Sequence, residues 1–274
     1  MYYLLQLMKF LFRPLVRRFL NRSRGIKKYQ KLYQLLHVVS IRGMNYVSGD
    51  FKTSGEIIIL DEIAKKYTHG KKVIFDVGSN NGEYALQINQ SFAKLKPRIY
   101  CFEPSTETYD ALQANVSDIE NIIPFNFGFS NEPSTAQLYS YSGNTGLSSV
   151  YNRDLNAYGH QSLSSQMISL KTIDTFCDEE EIDEILFLKL DIEGNELNAL
   201  KGASNMLSSR KIEIIQFEFG EPNIDSKSFL RDFFEILSEY NLYRILRDGK
   251  ISITPYTETN EIFKTANFIA FLRR

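Results

Sequence analysis

The sequence predicts an α/β protein: a doubly wound, mostly parallel sheet preceded by a helical extension. Three observations carry this. Near-continuous apolar runs stand at Val73–Val77, Arg98–Phe102 and Ile185–Leu190, amphipathic segments separate them, and each run ends on an acid or a glycine turn. Strands with no polar alternation are covered on both faces, as happens when helices flank a parallel sheet. Alternation of strand and helix along the chain builds that sheet.

The elements follow in order. A helix capped by Ser54 carries Ile57, Ile58, Leu60, Ile63 and Ala64 at helical spacing and stops at Gly70. After the first strand, a helix opens near Gly82 with Tyr84, Ala85, Ile88 and Phe92. The strand Arg98–Phe102 leads to a helix begun by Ser105, with Tyr109, Leu112 and Val116 on one face. Strands at 122–127, 185–190 and 212–219 come next, the last two separated by a helix over 195–207. A helix striped with Phe229, Phe233, Ile236, Leu237 and Tyr240 then precedes three closing, antiparallel strands at 243–246, 251–254 and 267–272. Residues 128–184 break the alternation. They are rich in Ser, Asn, Gly and Tyr, and so long an excursion reads as a lid or binding loop. Its Tyr139, Tyr141, Tyr151 and Tyr158 could stack on sugar rings or pack the lid closed.

With 274 residues, 43% of them hydrophobic, the chain has material for one large core and an appendage. The division expected is an extension over 1–53 and a catalytic domain over 54–274. Cys101 and Cys177 fall in or near buried strands without metal-like spacing, which favours a reducing, cytoplasmic setting. His37, His69 and His160 make no ligand pattern, so no metal site is expected from them. The net charge of −1 hides an asymmetry: residues 1–31 hold nine basic side chains and no acid, leaving −10 on the remainder. The opening apolar run reaches only Phe12 before Pro14 interrupts it, short of the roughly 20 residues that span a bilayer. A secretory signal would place its charges before the apolar stretch, and here they follow it. Two readings stay open. The segment lies on the anionic inner face of a membrane, with Leu4, Leu5, Leu7, Met8, Leu11 and Phe12 inserted, or it is a helical cap with a solvated basic face. The acidic remainder argues against a nucleic-acid partner.

The chemistry concentrates at the first two strand ends, in V-I-F-D-V-G-S-N-N-G-E at 73–83 and C-F-E-P at 101–104. A dinucleotide loop needs G-x-G-x-x-G so that pyrophosphate can sit on a helix N-terminus, and Asn80 stands where the second glycine belongs. Asp76 at the strand end would repel phosphate and suits a sulfonium or ammonium group. S-adenosylmethionine, a nucleoside with a cationic tail and no phosphate, fits these residues as cofactor. Glu103, ending the second strand, is placed to accept the ribose hydroxyls. Asn126 and Phe127, ending the third, are placed to meet adenine with an amide and an apolar face.

The segments V-I-F-D-V-G-S-N-N-G-E-Y (73–84), Y-C-F-E-P-S-T-E-T-Y-D-A-L-Q-A-N (100–115), L-K-T-I-D-T-F (170–176), F-L-K-L-D-I-E-G-N-E-L-N-A-L-K-G-A (187–203) and I-I-Q-F-E (214–218) resemble FkbM-type methyltransferases over about residues 54–220. The resemblance implies a class I, Rossmann-like methyltransferase fold and S-adenosylmethionine-dependent O-methyltransfer, commonly to sugars of glycolipids, polysaccharides or natural products. It also implies that Asp76, Gly78, Asn80 and Gly82 hold the methionine end of the cofactor, and Glu103 its ribose. Ser79 and Asn81 depart from the Ala and hydrophobic residue usual in the family, and N-F-G-F-S at 126–130 replaces an A-L-S turn, which weakens the adenine assignment.

Since the sulfonium is already activated, the protein must align an acceptor oxygen and help remove its proton. Asp191, ending the strand at 185–190, is the expected base or orienting group. Glu193 is the next candidate, with a helix-dipole role ahead of Asn195 as its alternative. Lys189 shares a strand face with Asp191 and is expected to pair with Glu218 as a buried support. Asp191 and Glu218 could instead hold Mg²⁺, although nothing else in the sequence asks for a metal. His160 is a further base candidate of the kind that usually proves merely exposed. Two rivals belong to other classes: a glycan-binding scaffold without chemistry, and a nicotinamide-dependent oxidoreductase. The intact Asp76, Gly78, Gly82 and Glu103 oppose the first, and the missing second glycine opposes the second.

Overall fold

The computed structural model describes residues 14, 16–47, 49–70, 72–141, 144–156, 159–160 and 162–274, without the side chains of 144, 145, 162 and 163. The insertion reading of residues 4–12 and the stacking reading of Tyr158 lie outside the described residues. The chain forms two compact units that divide between Met44 and Asn45, whereas the sequence reading places the boundary at 53.

The smaller unit contains a helical segment at 16–23, a 3-10 turn at Lys27–Tyr29 and the helix α1 (Gln30–Gly43). Phe19 meets Tyr29 edge-on at 5.9 Å between ring centroids and Tyr33 at 6.4 Å, and the Ser23 and Tyr33 hydroxyls hydrogen-bond. Among the described residues no helix is long and apolar enough to cross a membrane.

After a single helical turn at Phe51–Ser54, the larger unit runs through α2 (Glu56–Lys66), β1 (Val73–Val77), α3 (Glu83–Ser91), β2 (Arg98–Phe102), α4 (Thr106–Val116) and β3 (Ile122–Phe125). Four strands follow, β4 (Gly128–Phe129), β5 (Ser134–Tyr141), β6 (Asn144–Ser149) and β7 (Ser162–Lys171), then α5 (Ile173–Glu179) and β8 (Ile185–Leu190). The remainder is α6 (Glu196–Lys201), α7 (Ser204–Ser208), β9 (Ile212–Phe219), α8 (Leu230–Ile236), β10 (Tyr240–Leu246), β11 (Gly249–Ser252) and β12 (Ala266–Leu272). The main sheet has the order β11-β10-β12-β9-β8-β1-β2-β3. Its five strands from β3 to β9 are parallel, and β12, β10 and β11 close it antiparallel. This is the doubly wound arrangement: two β-α-β halves diverge from β1 and β8, so the loops after those strands open onto one crevice.

Apolar runs explain the core. Ile74, Ile99, Phe187 and Ile214 from neighbouring strands are fully buried against Ile59, Leu60 and Ile88 of the covering helices. At roughly 25 cal/mol per Å² of apolar surface, each such side chain contributes about 1.5–3 kcal/mol on burial. On the other face, Phe75, Phe102, Phe129 and Phe176 pack ring to ring, with Phe75 and Phe102 5.1 Å apart.

The region 128–184 is not a loop. It holds a four-stranded sheet of order β4-β7-β5-β6, in which β5 and β7 pair antiparallel over Ser134–Tyr141. Ala136, Leu138, Ile168 and Leu170 make its apolar face, and Thr135, Gln137, Tyr139, Ser165, Met167 and Ser169 stand at alternate positions. That period-2 pattern is the mark of a half-buried strand, masked in the sequence by the small polar residues between. The expected helix over 195–207 is broken into α6 and α7 at Gly202–Ala203.

Candidate active site

Beyond β1 the chain turns through Gly78 (φ 79°), Asn80 (φ 47°) and Gly82 (φ 88°) into α3. A Cβ on Gly78 would stand 1.9 Å from the Asp191 carbonyl oxygen, so only glycine lets the ends of β1 and β8 approach. Gly82 backs onto α4, where a Cβ would meet Leu112 at 2.7 Å; it serves helix packing and lines neither cavity described below. Asn80 adopts the left-handed conformation at the position of the missing glycine, which asparagine tolerates better than most residues. The Ser79 hydroxyl donates to the Asp76 carbonyl at 2.6 Å and accepts the Phe102 N–H at 3.1 Å, fastening the loop to β2.

Two cavities meet at this loop, one of about 550 Å³ and one of about 110 Å³. Gly78, Asn80, Asp191 and Glu193 line both. The smaller is completed by Glu103 and by Gly128, Phe129, Leu138, Ile168 and Leu170. Glu103 is 7% exposed, and its two oxygens accept the Asn80 N–H at 3.0 Å and the Ser105 N–H at 2.9 Å. Burial pushes its carboxyl up to about 7, against the opposing pull of those amides. Asn126 and Phe127 do not reach the cavity. β3 ends at Phe125, so the Asn126 amide donates to the Glu103 and Pro104 carbonyls, at 2.9 and 3.2 Å, and Phe127 joins the aromatic core. The apolar wall comes from the second sheet instead, and only its period-2 alternation could have revealed it.

Asp76 is fully buried, outside both cavity walls, with the Lys189 ammonium 3.4 Å from Oδ1 and no hydrogen bond of good geometry to either oxygen. Burial raises its pKa, and Lys189 opposes that. Lys189 donates to Asp191 Oδ2 at 3.1 Å and lies 4.6 Å above the Tyr84 ring. Burial disfavours its charge, but Asp191, Asp76 and Glu56 outweigh burial and raise its pKa. The expected Lys189–Glu218 pair is therefore replaced by a pair with Asp76 and Asp191. The strand register is the reason: β8 and β9 align Lys189 with Gln216, two residues short of Glu218. Gln216 donates to Glu56 at 2.6 Å and accepts from Tyr84 at 3.1 Å, and Asn267 donates to Glu56 at 2.8 Å.

Arg153 was not legible as a site residue. It is buried on the segment after β6, donates to Glu193 Oε2 at 2.5 Å, and lies 3.5 Å from Asp225. Burial pushes Glu193 up to about 8 despite Arg153. Glu196, beside it, is pushed up to about 7 by burial while accepting the Ile192 N–H at 2.8 Å. Carboxylate oxygens of Asp191, Glu193 and Glu218 lie within 4.8 Å of one another. Burial, then Asp191, Glu193 and Glu196, raise the Glu218 pKa. Such a cluster can hold a proton near neutral pH, or could share a hard divalent cation. His160 lies in the wall of the larger cavity, together with Glu56, Lys189 and Arg153.

The methyltransferase FkbM domain matches residues 76–245. Hexuronic acid methyltransferase AglP of Haloferax volcanii is 29% identical over 174 residues, covering 62% of this chain and 63% of that protein, so the chain spans somewhat under two thirds of that relative. Methyltransferase FkbM from Methylobacillus flagellatus superposes with a TM-score of 0.45 at 20% identity, over 73% of this chain and 43% of that one. The Bacillus cereus O-methyltransferase in complex with S-adenosylhomocysteine gives 0.45 at 9% identity, over 94% and 97% of the two chains. With the domain matched across most of the larger unit, this chain belongs to the FkbM methyltransferase family.

Proposed function

We propose that this protein transfers a methyl group from S-adenosylmethionine to a hydroxyl of a sugar in a glycolipid, polysaccharide or natural product. The observation that carries the reading is the wall common to the two cavities: Gly78, Asn80, Asp191 and Glu193 face both. A donor whose nucleoside fills the smaller cavity, with its ribose on Glu103, would meet an acceptor in the larger one beside carboxylates. The acid-rich wall, with Glu56, Asp191, Glu193, Glu218 and Glu221 against Lys189 and Arg153, suits a cationic donor. The relative from Haloferax volcanii is a hexuronic acid methyltransferase, which supports a sugar acceptor. A hydroxyl acceptor is further supported by the carboxylates, because a hydroxyl must lose a proton whereas an acceptor carboxylate has none to give.

Bound S-adenosylmethionine supplies the activated methyl group and a thioether leaving group. The chain does the rest. Asp191, or Glu193 two residues beyond it, would take the proton of the acceptor hydroxyl. Lys189 orients Asp191 from behind, and Arg153 holds Glu193 toward the cavity. Asp76 anchors Lys189 from beneath the cavity wall. Free, buried Cys101 and Cys177 support a cytoplasmic setting.

Calorimetric titration with S-adenosylmethionine and with NAD(H) tests the reading: heat with the first alone is expected, and no heat with it would overturn the proposal in favour of a scaffold. Methyl transfer from labelled donor to a fractionated cell extract then identifies the acceptor class. Insensitivity of that transfer to a chelator separates a carboxylate base from a cation held by the same cluster.

A further inference from the structure

The smaller unit presents a row of large apolar side chains to water. On α1, Leu32, Leu35, Leu36 and Val39 recur at i, i+3, i+4 and i+7, a single helical stripe, and they are 40, 60, 50 and 58% exposed. Val16, Phe19 and Leu20 of the preceding segment are exposed as well, as is Ile26 in the connection. The packing of Phe19 on Tyr29 and Tyr33 holds the two segments together and leaves these side chains uncovered. Around them stand Arg17, Arg18, Arg22, Arg24, Lys27, Lys28, Lys31 and Arg42, all exposed. The first acid of the whole chain is Asp50, so no carboxylate within this unit neutralises them.

We propose that residues 16–44 form a docking surface for an anionic lipid bilayer, on which the apolar stripe enters the interface and the arginines and lysines meet the headgroups. Three physical points select this occupant. At 14 residues α1 is about 21 Å long, shorter than the roughly 30 Å hydrocarbon core, so it lies on a membrane and does not cross one. It also has only two heptads, fewer than the three or four that a stable coiled coil with a second copy requires. Nucleic acid would use the basic residues and leave the stripe in water, whereas an anionic interface uses both. The surface concerns delivery of the enzyme to a lipid-linked acceptor, and it stands or falls independently of the chemistry proposed above.

The test is flotation of the full chain with vesicles of phosphatidylcholine alone and with 30% phosphatidylglycerol added. Partitioning at least tenfold stronger to the anionic vesicles is expected, falling as salt is raised because surface charge is screened beyond about a Debye length. The double substitution Leu35→Asn, Leu36→Asn should lower binding at least tenfold, with far-UV circular dichroism and S-adenosylmethionine titration as checks that both units are intact. The quadruple substitution Arg17→Gln, Arg18→Gln, Lys27→Gln, Lys28→Gln should remove the preference for anionic vesicles. Equal partitioning of the unaltered protein to both vesicle types, or none to either, overturns the proposal. So does a lipid-free dimer in light scattering that the leucine substitutions dissociate, since a second copy would then cover the stripe.

Discussion

Glu103 offers the sharpest test of the donor site. Its carboxyl sits near 7 because burial penalises the charge more than the Ser105 and Asn80 amides favour it. Ribose hydroxyls need the ionised form as acceptor, so binding must expel whatever proton the free protein carries. For a group at about 7, roughly nine tenths of molecules are protonated at pH 6 and one tenth at pH 8, which weakens apparent affinity about tenfold between pH 8 and pH 6. Glu103→Gln removes this dependence and also the charge-assisted contact, worth about 1.5–3 kcal/mol, or roughly 10- to 150-fold in affinity at pH 8. The difference between the two proteins isolates the carboxyl from titration of the ligand's own amine. Glutamine's one carbonyl can satisfy only one of the two amides, so about 1–3 kcal/mol of stability goes with it. Isothermal titration with S-adenosylmethionine at pH 6, 7 and 8, in buffers of different ionisation enthalpy, measures both affinity and protons released. A folded Glu103→Gln protein with unchanged affinity, or an identical pH dependence in both proteins, would refute the reasoning.

Three further outcomes are expected. Asp191→Asn and Glu193→Gln should each leave donor affinity within a few-fold while the more important of the two lowers kcat by about 10²–10⁴, the usual worth of a positioned base; retention of kcat in both would remove the carboxylates from the mechanism. Lys189→Met should destabilise by about 3–5 kcal/mol, because it leaves buried Asp76 without its cation, and a melting temperature equal to that of the unaltered protein would show that Asp76 has another partner. Glu103, Glu193 and Glu196 are raised to about 7, 8 and 7 from an ordinary 4.5, so the folded state holds protons that the unfolded state has lost. The stability this contributes is complete below about 4.5 and disappears as pH rises through 7 to 8, so the ligand-free protein should melt lower at pH 9 than at pH 6 in differential scanning calorimetry; a higher melting point at pH 9 would contradict the burial of these groups.

The frame of the larger unit was readable because β1, β2, β8 and β9 are apolar runs whose bounds coincide with the predicted ones. The small sheet was not, since in β5 and β7 Ser, Thr and Gln conceal an apolar face of only a few residues. At the site, Gly78, Asn80, Glu103, Asp191 and Glu193, read from the sequence as cofactor-binding or catalytic, line the two cavities. Asn126 and Phe127 were misplaced by a strand end two residues earlier than expected, which turned the amide to the backbone and the ring to the core.

By itself the sequence determined what local chemistry and periodicity determine: the order of strands and helices, a phosphate-averse glycine loop, an acid at each strand end, and a basic segment free of acids. Which acid serves which purpose was decided only by the tertiary structure. Register is a property of two strands, and it alone sets Lys189 beside Asp76 and Gln216 and leaves Glu218 to face Asp191 and Glu193. Asp76, read from its neighbours in sequence as a ligand for a cation, is fully buried with the Lys189 ammonium beside it. Arg153, unremarkable in its loop, becomes the partner of Glu193 because folding brings together residues 40 positions apart.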